Sequence, residues 1–122
     1  MSESSTPPIS PEVLASVAEY FKMLSEVSRL QILSHLRSGP MTVNELVEAT
    51  ELGQANISKH LKMLTQIGML SRTASGVSAY YKIADPMIFE LCETVCDSLS
   101  DRLLKQAQKF DQFKAFGQVS AQ

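Results

Sequence analysis

Between Leu52 and Leu70 the chain reads LGQANISKHLKMLTQIGML. Gln54, Asn56, Ser58, Lys59, His60 and Lys62 offer amide, hydroxyl and cationic groups, the types that bond base edges and phosphates in a DNA major groove. From Leu52 to Ala84 the bases Lys59, Lys62, Arg72 and Lys82 meet no Asp or Glu. All 13 acids therefore lie outside that window, and the net charge of -2 conceals a local basic surface. Taken alone, these residues also describe an ordinary solvated amphipathic helix. The neighbouring elements decide between the two readings.

The other candidate chemistry is that of sulfur. The chain has two cysteines, Cys92 and Cys96, four positions apart. One reading makes them small apolar packing residues, since free cysteine is among the most buried residue types. The other makes them a thiol sensor of oxidants, sulfur species or a thiophilic metalloid, clustered with the same pair of a second copy. Helical i,i+4 positions stand about 5–6 Å apart at Cβ, wider than the ~3.8 Å of a relaxed disulfide. An intrachain bond would then strain the turn and carry a signal. The nearby Glu90, Glu93 and Asp97 disfavour the thiolate. His35 reads as a surface or boundary residue. With no nucleophile–base pair and no phosphate loop, an enzyme is not expected, and no cofactor is implied.

These groups need elements to hold them. Ile57, Leu61, Leu64 and Ile67 fall at helical spacing, so the Leu52–Leu70 stretch is a helix with one buried stripe, closed by Gly68. Before it, Thr42-Val43-Asn44-Glu45 is a capping box opening a short helix through Ala49. Leu52-Gly53 makes the tight connection, and two short helices so joined are a helix-turn-helix. Upstream, Ser10-Pro11-Glu12 starts a first helix to about Leu24, with Val13, Val17, Phe21 and Leu24 on one face. Ser25 is expected to cap a second, whose core face is Val27, Leu30, Ile32, Leu33 and Leu36 and which Gly39-Pro40 ends.

After Gly68 the period changes. Leu70–Thr73 and Ala79–Ile83 alternate and are β-prone, with Ser75-Gly76 between them: a hairpin placed as a wing. Asp85-Pro86 opens a long last helix. Along it Phe89, Cys92, Cys96, Leu99, Leu103, Phe110 and Phe113 form one stripe that polar Gln106 interrupts; Ile88, Leu91 and Val95 form a second. A face this broad asks for a partner as well as its own domain. The fold class is thus mainly α with a small β-hairpin, in the order α-α-α-α-β-β-α, dimerising through the first and last helices.

The expected bounds are a disordered tail over 1–10, a winged helix-turn-helix domain over 11–115 and a second disordered tail over 116–122. A chain of 122 residues is one domain. No apolar run approaches a membrane span and the Ser/Glu-rich start is no signal peptide, so the expected location is cytoplasmic.

These residues resemble the ArsR/SmtB family of bacterial winged-helix repressors over roughly 21–101. FKMLSEVSRLQILSHL resembles its second-helix signature, with Glu26-Val27-Ser28 in place of the usual Asp-Pro-Thr; LGQANISKHLKMLTQIGML resembles its recognition helix and AYYKIAD its second wing strand. The resemblance implies a homodimeric repressor that binds double-stranded DNA at a palindromic operator and leaves it when an inducer binds. It places Gln54, Ala55, Asn56, Ser58, Lys59 and His60 at the DNA, with Lys62 on the same face and Arg72 and Gly76 in the wing. After the wing glycine, where the family commonly has Arg or Lys, this chain has Val77. The family's metal positions fall on Thr42 and Asn44, and on Asp85, Met87, Ser98 and Asp101, which make poor sites, so no metal is expected. The alternatives are a MarR-like regulator without metal or thiol sensing and a winged-helix protein-interaction module that has lost DNA binding.

Overall fold

The computed structural model describes residues 7–121. Five helices and one hairpin follow in order: α1 Pro11–Met23, α2 Val27–Leu36, α3 Val43–Thr50, α4 Gln54–Gln66, β1 Leu70–Ser75, β2 Ser78–Ile83 and α5 Met87–Ala121. Two compact units result, one running to Asp85 and one from Pro86 onward.

The first unit folds around α4. Ile57, Leu61 and Leu64 along one side of α4 are buried, as are Ile32, Leu33 and Leu36 of α2, Leu46 of α3, and Met69 and Leu70 at the entry to the hairpin. Apolar residues at three- and four-residue spacing leave no other way to remove those side chains from water. The capping box forms as its sequence requires: Glu45 N donates to Thr42 Oγ1 at 3.2 Å and Thr42 N to Glu45 Oε1 at 2.8 Å. Glu51 then closes α3 in the left-handed region at φ 62°, and Thr50 Oγ1 accepts from Leu52 N at 3.2 Å. Those contacts set the turn between α3 and α4.

β1 and β2 pair antiparallel, with Leu70 opposite Ile83 and Ser75 opposite Ser78. Gly76 sits at φ +61°, the positive angle that a two-residue turn opening with glycine needs to match the twist of its strands. A third segment joins the hairpin: Met41 and Tyr81 exchange N–H···O bonds of 3.0 and 2.9 Å. A single bridging residue has no alternation in sequence to betray it.

Two expectations for α2 are corrected. Ser25 does not cap it; its hydroxyl donates to Lys22 O at 2.8 Å, while Glu26 holds the cap position without a side-chain cap bond. Val27 and Leu30 are exposed, and Arg29 is buried in their stead. The reason is rotational: the stripe through Ile32, Leu33 and Leu36 continues back to Arg29, three residues before Ile32, and not to Val27. In α1, Ser10 is the cap as expected, its Oγ accepting from Val13 N at 3.2 Å. Val13, Leu14, Val17 and Phe21 are exposed and Met23 is buried.

The second unit is α5. Ile88 is buried and Cys92 half-buried, and every side chain from Glu93 to Gly117 is exposed. The helix continues to Ala121, where a disordered tail from 116 was expected; no proline follows Phe116 to stop it, and a lone Gly117 lowers helix propensity by only about 1 kcal/mol. Of the expected N-terminal tail, residues 1–6 lie outside the described residues, and 7–9 carry no regular structure before the Ser10 cap.

Candidate nucleic-acid interface

Gly53 caps α4 with no side-chain bond. The first intrahelical donor is Ile57 N, which reaches Gly53 O at 3.0 Å. The N–H groups of Gln54, Ala55 and Asn56 therefore point out of the helix start unclaimed by its own turns, with the positive end of the helix dipole behind them. Around this end Gln54, Ala55, Asn56, Ser58, Lys59 and Lys62 are all exposed. Fixing Ile57, Leu61 and Leu64 inward turns positions 55, 58, 59 and 62 to solvent, while Gln54, three residues before Ile57, is exposed as the first residue of the helix.

The hairpin brings Arg72 to the same end of the unit. Arg72, opposite Tyr81 in the register, lines with Gln54, Asn44 and Ser78 an open cleft of about 250 Å³. Helix start, α3 start and wing strand thus border one polar recess. Gly76 and Val77 form the exposed hairpin tip. The basic groups stand where no carboxylate neighbours them in sequence, and the recess can take an anionic, hydrogen-bonding surface.

His60 does not belong to this face. It is only 4% exposed, because it lies three residues after Ile57 and four before Leu64, on the buried stripe. Its Nε2 is 3.2 Å from Glu26 Oε1, and its Nδ1 is buried with no hydrogen-bond partner. Burial pushes the imidazole pKa down from its ordinary 6.5; Glu26 opposes this, while Arg29 and Lys59 add to it. Glu26 also accepts from Arg29 Nη2 at 2.9 Å. In the sequence Glu26 stands out only as part of the second-helix motif, and nothing singles out Arg29. Their i,i+3 spacing was visible, and placing His60 on the Ile57–Leu64 stripe would have pointed to a carboxylate partner.

Cys92 and Cys96 are free thiols on α5, the first half-buried and the second exposed. Burial, and then the neighbouring Cys96, push the Cys92 thiol pKa up. Among the described residues no group of three or more His, Cys, Asp or Glu side chains comes together, and no helix is long and apolar enough to cross a membrane.

Residues 26–72 match the model of the family described as bacterial regulatory protein, arsR family. The chain is 33% identical over 86 residues to the HTH-type transcriptional regulator NmtR of Mycobacterium tuberculosis, covering 70% of this chain and 72% of that one. Against the HTH-type transcriptional repressor SmtB of the same species it is 34% identical over 74 residues, spanning 61% of this chain and 55% of the relative. The homodimeric winged helix-turn-helix DNA-binding domain Mb0332 from Mycobacterium bovis superposes with a TM-score of 0.65 at 30% identity, covering 75% of this chain and 91% of that one.

Proposed function

The chain belongs to the arsR family of bacterial regulatory proteins, which are DNA-binding transcriptional regulators and not enzymes, and from that premise we propose that it is a homodimeric repressor. Its two α4 helices enter successive major grooves of an imperfect palindrome, with half-sites about one helical turn, roughly 34–36 Å, apart. Gln54, Ala55, Asn56 and Ser58 read base edges; Lys59, Lys62 and Arg72 hold phosphates; Gly76 lets the wing tip approach the backbone. An inducer releases the complex, with Cys92 and Cys96 as the thiols through which a sulfur-directed inducer would act.

The observation that carries this reading is the acid-free, exposed polar face at the uncapped start of α4, flanked by Arg72 of the wing. A protein-interaction module that had abandoned DNA would have no reason to keep carboxylates away from this face. The two relatives named as a regulator and a repressor, and a neighbouring structure described as a homodimer, support the rest.

The test is selection of bound duplexes from random DNA by the purified protein, followed by titration of the enriched sequence. Palindromic enrichment is expected. Lys59→Ala should then weaken operator and scrambled DNA alike and lower the salt slope by about 0.9 for one lost phosphate. Gln54→Ala and Asn56→Ala should relax preference at individual base pairs by about 1–3 kcal/mol. Wild-type binding by all three variants would remove α4 from the interface.

A further inference from the structure

The buried side of α4 carries a polar connection that the DNA-facing side does not explain. Glu26, at the start of α2, is half exposed, yet its carboxylate neither caps α2 nor stands alone. One oxygen accepts from Arg29 Nη2 at 2.9 Å; the other lies 3.2 Å from His60 Nε2 on α4. Arg29 is itself buried, and its Nη1 stands 3.8 Å from the sulfurs of both Met23 and Met63. The guanidinium is thus seated between α1 and α4, holding Glu26 in place against His60. With Glu26 half exposed, its ion pair with Arg29 is screened by solvent and adds little to stability by itself. What this approach adds is a tie between the start of α2 and α4: Glu26 Oε1 stands 3.2 Å from the Nε2 of His60, which immediately follows Lys59 and lies within two turns of Gln54.

We propose that Glu26 is a positioning residue for DNA recognition: anchored by Arg29, it grips His60 and fixes the rotation of α4, and thereby the placement of Gln54, Asn56 and Lys59. This inference rests on the proposed role of α4 in DNA binding. It makes an opposite prediction to simple electrostatics. Removing an acid from a DNA-binding domain should tighten association with a polyanion; removing this one should weaken association with the operator.

The test uses the full chain and an operator selected by the wild-type protein. Glu26→Ala and His60→Leu should each lose at least tenfold in operator affinity, while binding to scrambled duplex stays unchanged or tightens. The double variant should lose no more than either single one, as expected for two halves of one contact. His60→Gln, whose amide N–H can still reach the carboxylate, should stay within about threefold of wild type. Amide hydrogen exchange without DNA gives an independent reading: Glu26→Ala should speed exchange across Gln54–Gln66 while α3 keeps its protection, whereas general destabilisation would raise both. Operator binding by Glu26→Ala as tight as wild type with unaltered α4 exchange would overturn the proposal, as would equal operator binding by the Leu and Gln variants of His60. A wild-type protein that prefers no sequence defeats the DNA-binding reading instead, and the exchange comparison still decides whether the grip exists.

Discussion

At His60 two opposing influences meet, and burial prevails over the Glu26 carboxylate, so the folded protein favours the neutral ring. The sign of the pH effect follows. A histidine whose pKa is depressed on folding contributes stability that is present above its unfolded value, near 6.5, and is lost as the pH falls through the folded value. The groups facing the ring that bear on this are Glu26, Arg29 and Lys59. Urea midpoints should therefore drop as the pH is lowered from 7.5 through 6.5 toward 5.5, and His60→Gln should flatten that drop; an equal drop in the variant would place the acid sensitivity elsewhere. The Cys92 thiol is shifted the other way, toward protonation. Thiolate is the attacking form, so Cys92 should alkylate slowly with iodoacetamide at pH 7 and faster as the pH rises. A Cys92→Ser/Cys96→Ser variant that binds operator but no longer releases it under polysulfide or arsenite would assign sensing to the pair; unchanged release would leave both as packing residues.

Among the elements, the hairpin is the one whose chemistry departs most from its position. Its register aligns Arg72 with Tyr81 and its turn places Gly76 and Val77 at the tip. The tip is fully exposed at Val77, so an apolar side chain stands where a cation could reach a phosphate. Val77→Lys should tighten binding to all duplexes and steepen the salt dependence by about 0.9 for one added phosphate contact, with little change in melting temperature because nothing packs on the residue. An unchanged salt slope would mean that the wing does not reach DNA. The Met41–Tyr81 bridge ties the second strand to the chain just before α3, which gives the wing a fixed anchor at the helix-turn-helix.

At the scale of the molecule, each unit leaves an apolar face in water. α1 exposes Val13, Leu14, Val17 and Phe21, and α5 exposes Val95, Leu99, Leu103, Phe110 and Phe113. Monomeric proteins seldom leave such contiguous faces uncovered, and a second copy meeting them is the arrangement that the homodimer reading requires. Leu99→Glu should put a charge in that seam and shift sedimentation at micromolar concentration from dimer toward monomer, with a parallel loss of operator affinity as the two half-sites are no longer bound together. A variant that stays dimeric would move the interface away from this part of α5.

What the sequence determined by itself was whatever local chemistry specifies. The capping box at Thr42, the cap at Ser10, the glycine turn at Gly76 and the helical stripe through Ile57, Leu61 and Leu64 each act within a few residues, so type and spacing sufficed to place the helix-turn-helix, its wing and the polar face of α4. What only the tertiary structure decided was the rotation of each helix about its axis and the pairing of residues distant in sequence. His60 counts as polar in any pattern, yet its angle on α4 buries it; Arg29 counts as charged, yet it sits inside while Val27 faces water. Each burial follows from the angle its residue takes on its helix, and the approach of Glu26 to His60 at 3.2 Å joins residues so far apart in the chain that no period in the sequence marks it.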